Sequence, residues 1–453
     1  MNFLEHYIVA AANFVWGTPL LILLMGGGAF FMFYSRFLPF RYLGHAINVL
    51  RGKYDDDSDP GDINHFQALS GALAATIGMG NISGVAVAIA MGGPGAIFWM
   101  WVSAFFGMAT KFFTCTLAVM YRGEDSEGNL QGGPMYFIRE GLGKKWLPMA
   151  TFFATVGVFA GTPIFQTNQI VAAAKDIILI PNGISGDNIY LDLSIGLFIA
   201  LLVGLVIFGG IKRIGSVASK LVPAMVLLYV VSVIIILLVN VGELGSSLLL
   251  IITDAFTAES AMGGAVGALI VTGARRAAFS NEAGIGTAPM MHGAAKTSEP
   301  VREGLVAMLG PAIDTLIICT MTGLCILVTG VWETSNLNGI SLTALAFSKS
   351  LPGFGPYILA MCVLIFAFTT LFGLAYYGKK CLSFLIGEKY SFVFNYWYVF
   401  LVIIGSVTTL EAVVAFVDLT YGLMAFPTMI GASLLAPKVI SASKVYFANL
   451  RNR

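Results

Sequence analysis

The chain has 453 residues, 57% of them hydrophobic and only 11% charged, with a formal net charge of +1. Soluble domains carry roughly 25% charged residues, so this composition belongs to a protein that crosses a bilayer repeatedly. A near-neutral chain without a clustered basic surface excludes nucleic acid as a partner.

Apolar runs bounded by charge or by Pro/Gly clusters predict eleven membrane spans, at 14–36, 64–91, 94–120, 148–174, 191–210, 217–240, 261–291, 303–331, 353–378, 394–416 and 419–437. The N-terminus, Met-Asn-Phe-Leu-Glu-His, has no basic region before its first apolar run and so lacks the start of a cleaved signal peptide. After the first span, the acidic stretch Asp55-Asp56-Asp57-Ser58-Asp59-Pro60 reads as a solvated loop rather than a metal site.

The second span contains Ala74-Ala75-Thr76-Ile77-Gly78-Met79-Gly80-Asn81. Each glycine costs a helix roughly 1 kcal/mol relative to alanine. Any peptide group it frees inside a bilayer needs another partner. The expectation is an opened backbone that is itself a ligand.

Further along, Gln166-Thr167-Asn168-Gln169 places amides in the span 148–174. Uncompensated amides cost several kcal/mol in lipid, so these either bond between helices or face a site. Short helices outside the membrane are expected at 133–142, 246–257 and 341–350. The span 261–291 is broken at Asn281-Glu282-Ala283-Gly284-Ile285-Gly286-Thr287. Glu282 in this break could hold a proton, pair with a basic neighbour or cap the opened backbone, with the structural role favoured. Arg275 and Arg276, about two helical turns earlier, suggest a vestibule or a gate pair. Lys111 and Asp314 are charged residues inside spans without an assignable role. Thr369-Thr370, midway along 353–378, fits the common habit of membrane threonines of bonding back to a carbonyl one turn earlier. His6, His45, His65 and His292 show no ligand spacing. Cys115, Cys319, Cys325, Cys362 and Cys381 lie in apolar segments and read as reduced packing residues.

Setting aside residues 1–63, an extra N-terminal helix and cytoplasmic linker, leaves five spans in 64–240 and five in 261–437. An extracellular connection at 241–260 joins them, and 438–453 forms a cytoplasmic tail. Five is odd, so the halves enter from opposite sides, as in an inverted-topology repeat. Each half opens with a broken helix, and discontinuous helices at corresponding positions point to a midplane site in a secondary transporter. Freed N–H groups suit a carboxylate, and freed carbonyls suit Na⁺ or an ammonium group. Taken singly, either Gly-x-Gly could merely let helices pack closely. A dinucleotide reading fails because Ser83 stands where a third glycine is required, so no nucleotide is expected. Most of the 25 Lys and Arg residues fall in alternate loops. The positive-inside rule therefore sets the N-terminus outside and the C-terminus in the cytoplasm.

The stretch Gly92-Gly93-Pro94-Gly95-Ala96-Ile97-Phe98-Trp99-Met100-Trp101 continues to Phe105-Phe106-Gly107. It resembles the signature of the alanine or glycine:cation symporter family, prokaryotic sodium-coupled carriers with a leucine-transporter-type core. Gly132-Gly133-Pro134-Met135-Tyr136, Gln166-Thr167-Asn168, Gly209-Gly210-Ile211-Lys212, Phe279-Ser280-Asn281-Glu282 and Tyr376-Tyr377-Gly378 are similar to the family too. The resemblance thus spans nearly the whole chain. It implies an all-α polytopic protein of the cytoplasmic membrane that carries a small neutral amino acid, alanine or glycine, together with Na⁺. It further implies substrate contacts at Thr76, Met79, Gly80, Asn81, Gln166, Phe279 and Asn281, with Phe279 as an apolar wall. The implied sodium site takes the carbonyls of Ala74, Ile77 and Phe366 and the hydroxyls of Thr369 and Thr370. Neutral oxygens of this kind suit a monovalent hard cation. Met79 departs from the threonine common in the family, adding volume and removing a hydroxyl.

Alternatives are the same fold carrying serine or glutamine, or coupled to H⁺, and, more remotely, a channel. A channel needs a continuous polar lining or charged rings, which the sequence lacks. No nucleophile–base pair, metal-ligand spacing or phosphate loop supports an enzyme or an ATP-driven pump.

Overall fold

In the computed structural model, residues 3–56, 58–184, 188–256 and 265–451 are described. The protein is almost wholly helical. Its only β-ladder among these residues is the two-residue antiparallel pairing of Gly123–Glu124 with Leu130–Gln131. Asp57 of the acidic linker, the end of the connection at 241–260 and the first residues of the span at 261–291 lie outside the described residues.

Among the described residues, seven helices are long and apolar enough to cross a bilayer, and two bent helix pairs raise the number to nine. One bent pair is the N-terminal element, His6–Val15 with Thr18–Tyr34, kinked by 44°. The other is His65–Thr76 with Gly80–Gly92, kinked by 55°. The remaining two expected spans are helical but differ from simple crossings. Ala265–Asn281 and Thr287–His292 are separated by the second break. Val393–Gly405 has 13 residues, about 20 Å at 1.5 Å per residue, less than the roughly 30 Å apolar core.

The final helix runs from Leu410 to Arg451, so the segment expected as a tail continues the last span. It folds back on the N-terminal element: Tyr42 stacks on Phe447 with ring centres 3.6 Å apart. Short helices lie near each of the three positions expected outside the spans: Pro134–Tyr136 continuing into Phe137–Gly141, Leu244–Asp254, and Gly339–Ser350; Leu38–Arg41, Leu43–Leu50 and Glu388–Ser391 are further ones.

Packing follows from polarity and side-chain size. The first broken crossing begins with a capping box, in which Asn64 accepts from the Gln67 N–H and Gln67 reaches back to the Asn64 N–H. From Ala68 to Ile89 its residues are buried except for Val87. It sits between the long helices Gly210–Val239 and Gly355–Ile386. At Gly373 an added Cβ would come within 2.6 Å of the Ala75 Cβ, so glycine permits the helix contact there. The second crossing packs on Gly95–Met120. All five cysteines are buried and free.

The two broken crossings run in opposite directions. His65, which opens the first, and His292, which closes the second, bond the two oxygens of one buried carboxylate, Glu303. Beside them Lys296 N–H donates to the Ile63 carbonyl. The Arg122 guanidinium donates to the carbonyls of Gly293, Ala295 and Thr297. Two of the four histidines that lack ligand spacing in the sequence, His65 and His292, therefore tie the ends of the two crossings together.

Candidate functional site

The first helix of the broken crossing ends at Thr76 because the chain turns extended at Ile77 (φ −75°, ψ 95°). The Ile77 N–H still bonds the Leu73 carbonyl. The next donor, the Gly78 N–H, turns instead to Asn81 Oδ1 at 2.9 Å, which leaves the Ala74 carbonyl without its helical partner. Gly80–Gly84 then resumes as a wide π-type turn. Close contact explains both glycines. A Cβ at Gly78 would lie 2.3 Å from Thr370 Oγ1, and one at Gly80 would lie 3.2 Å from the Phe279 ring and 3.3 Å from Ser280 Cα. The first break is thus pressed against the residues that precede the second.

The second break is held open by left-handed backbone at Glu282 (φ 54°), Gly284 (φ 89°) and Gly286 (φ 105°). A left-handed glutamate is costly and needs support. Tyr421 Oη donates to its carboxylate at 2.8 Å, and the Thr287 hydroxyl donates to the other oxygen. The Glu282 carboxylate is thus held by two side-chain hydroxyls, one from the final helix and one from the residue that follows the break. Asn281 Oδ1 accepts the Ala283 N–H at 2.9 Å and its Nδ2 donates to Thr315 at 3.0 Å.

Asp314, fully buried, joins the two breaks. It accepts from Asn81 Nδ2 at 2.7 Å, from Ser280 Oγ at 2.8 Å and from Thr315 Oγ1 at 2.7 Å. Its rarity as a carboxylate inside a span was the available sequence signal. Its partners, far away in the chain, gave none.

The expected sodium ligands are partly gathered. Thr370 Oγ1 meets the break at Gly78. Thr369 Oγ1 instead faces Met225 Sδ at 3.4 Å on the neighbouring helix. Both hydroxyls donate to the Phe366 carbonyl, at 2.9 Å and 3.0 Å, which is the back-bonded arrangement of membrane threonines. A hydroxyl that donates keeps lone pairs for an ion. Thr76 donates to the Ala72 carbonyl at 3.1 Å.

Of the four-residue polar group, Asn168 donates to the Thr408 carbonyl and Gln169 Nε2 to Asn168, while Gln169 Oε1 accepts from Ser83 Oγ, in the turn Gly80–Gly84, at 3.4 Å. Gln166 is buried and its Oε1 has no protein partner, and the same holds for Thr167 Oγ1. Phe165, beside it, meets Phe279 edge to face at 5.4 Å. That contact sets the Gln166 helix alongside the second crossing, although no direct bond links Gln166 to either break. Met79 is buried as well.

On the far side of the breaks from Glu303, Arg275 and Arg276 converge on Asp418 at 2.7 Å and 2.9 Å. Trp16 Nε1 caps the Asp418 carbonyl at 2.7 Å, and Arg276 lies 5.4 Å from the Phe279 ring centre. On the Glu303 side a cleft of about 110 Å³ is bordered by Asp62, Ile214, Tyr376 and Lys380. Lys380 Nζ donates to the Met290 carbonyl at 2.9 Å and to Tyr376 Oη at 3.0 Å.

The profile of a family described as the Sodium:alanine symporter family matches residues 1–453. The sodium/alanine symporter AgcS of Methanococcus maripaludis is 40% identical over 443 residues, covering 96% of this chain and 95% of that protein. A Bacillus subtilis protein described as "Probable sodium/glutamine symporter GlnT" is 37% identical over 444 residues, covering 98% of this chain and 91% of its own length. The crystal structure of MhsT in complex with L-phenylalanine superposes with a TM-score of 0.58 at 11% identity, over 84% of this chain and 98% of that one. At that identity the likeness concerns the fold.

Proposed function

The chain belongs to the sodium:alanine symporter family, whose members are secondary transporters and not enzymes, and from that premise we propose that it couples Na⁺ entry to uptake of a small neutral amino acid by alternating access. The observation that carries the reading is the meeting of two oppositely directed broken crossings, the first with backbone released from helical pairing at Gly78. The substrate would lie against Thr76, Met79, Gly80, Asn81, Gln166, Phe279 and Asn281, its carboxylate toward freed N–H groups and the Gln166 amide. Na⁺ would be held by oxygens of Ala74, Ile77, Phe366, Thr369 and Thr370. Both are cargo, so no resident cofactor is invoked.

The halves 64–240 and 261–437 act as inverted five-helix repeats in this reading, with two discontinuous helices, an extra N-terminal span and eleven crossings in all. The membrane is the prokaryotic cytoplasmic membrane. The Arg275–Asp418 side faces outward and the Lys380 cleft faces the cytoplasm. The antiparallel crossings and the positive-inside distribution of Lys and Arg support this.

Coupling requires each ligand to strengthen the other by the same factor. Purified protein should bind alanine more tightly as Na⁺ is raised, and Na⁺ more tightly as alanine is raised, by equal ratios in isothermal titration. Alanine affinity indifferent to Na⁺ sinks the proposal. The likeness to a protein described as a glutamine symporter favours a second reading, a larger neutral substrate. Competition of labelled alanine uptake by serine and glutamine separates the two.

A further inference from the structure

Away from the broken crossings, the ends of the first span and of the final helix enclose a cavity of about 650 Å³. Arg36, Arg41, Lys444 and Arg451 line it, and among the described residues no aspartate or glutamate does. None of the four is in an ion pair within the described residues; Arg41 only leans over the Tyr42 ring at 5.6 Å. Four cations round one concavity repel each other, and in a folded chain such a set is stabilised by an anion. The stacked rings of Tyr42 and Phe447 form part of its wall.

Two further observations narrow the anion. Arg36 and Phe37 are consecutive non-glycine residues in left-handed backbone (φ 54° and 59°), a strained turn of the sort that marks ligand clamps. The adjoining apolar surface is open: Phe33 is 62% and Phe40 40% exposed. A free inorganic anion has no use for that surface, whereas an acyl chain does. Cations between span ends, with aromatic rings at the same level, are the chemistry of a lipid headgroup site.

We propose that this cavity binds the phosphate diester headgroup of an anionic glycerophospholipid, whose acyl chains lie on the exposed aromatic face of the first span. It rests on the bilayer assignment and not on the transport reaction, so its failure leaves the proposed function intact.

The test is thermal unfolding of the full-length protein in detergent with added phosphatidylglycerol or cardiolipin, phosphatidylcholine, or water-soluble glycerol phosphate at equal phosphate concentration. A ligand of the native state raises Tm by mass action. The expected result is a rise of about 3 °C or more with the anionic lipids, little with phosphatidylcholine and little with glycerol phosphate. Arg41→Gln/Lys444→Gln should lose most of that rise, whereas Lys212→Gln/Lys220→Gln, which removes equal charge elsewhere, should keep it. An equal rise with phosphatidylcholine or with glycerol phosphate, or an unchanged rise in Arg41→Gln/Lys444→Gln, overturns the proposal. Should that variant not fold, native mass spectrometry of the wild type decides: retention of the anionic lipid in preference to phosphatidylcholine supports the site, and equal retention refutes it.

Discussion

Thr370 is the side chain on which the ion site turns. Its hydroxyl reaches the first break, so close that Gly78 tolerates no Cβ beside it. Thr370→Ala should lower apparent Na⁺ affinity at least about tenfold, roughly 1.4 kcal/mol, while Thr370→Ser keeps it. Sodium-dependent uptake unchanged in the alanine variant would remove Thr370 from the site. Thr369 faces Met225, so its substitution should have the smaller effect. Met79 is buried at the first break. Met79→Thr frees volume and should admit larger side chains in competition assays; an unaltered profile would show that residue 79 does not face the solute.

At the level of elements, the breaks are fastened rather than loose. Asp314 accepts one donor from the first crossing, one from the second and one from its own helix. Asp314→Asn turns an acceptor into a partial donor facing three donors. Hydrogen bonds to a charged group are worth roughly 1.5–3 kcal/mol each, so this variant should unfold several degrees lower and transport slowly. Transport and melting both at wild-type level would show that the breaks hold their geometry without it. Glu303 plays the matching part at the ends of the crossings, where it takes His65 and His292 together.

Across the whole molecule, the two sides of the site are built differently. One carries Arg275 and Arg276 on Asp418; Arg276 and Asp418 are buried, so their attraction is little screened, and Arg275 is partly exposed. The other carries the Lys380 cleft. Removing one partner of a buried ion pair costs about 3–5 kcal/mol. Asp418→Asn should therefore shift the protein toward the form open on the Arg275 side. Thiol labelling from that side of a Phe279→Cys substitution should rise at least about tenfold in the Asp418→Asn background. No rise would mean that these ion pairs do not gate the site.

By itself the sequence determined the bilayer environment, the places where two helices must break, and the polar residues that cannot face lipid. These properties are local: apolar length, the helix penalty of glycine and the need to pair every backbone group act within a few residues. It also carried the family resemblance in contiguous motifs. Only the tertiary structure decided which polar residues meet. Asn81 and Asp314, His65 and Glu303, Arg276 and Asp418 are separated by 233, 238 and 142 residues. It likewise left Gln166 Oε1 without a protein partner while pairing Asn168 and Gln169, set Thr369 against Met225 and carried the expected tail on as helix. Such pairings depend on how helices from distant parts of the chain pack, and no local propensity encodes that.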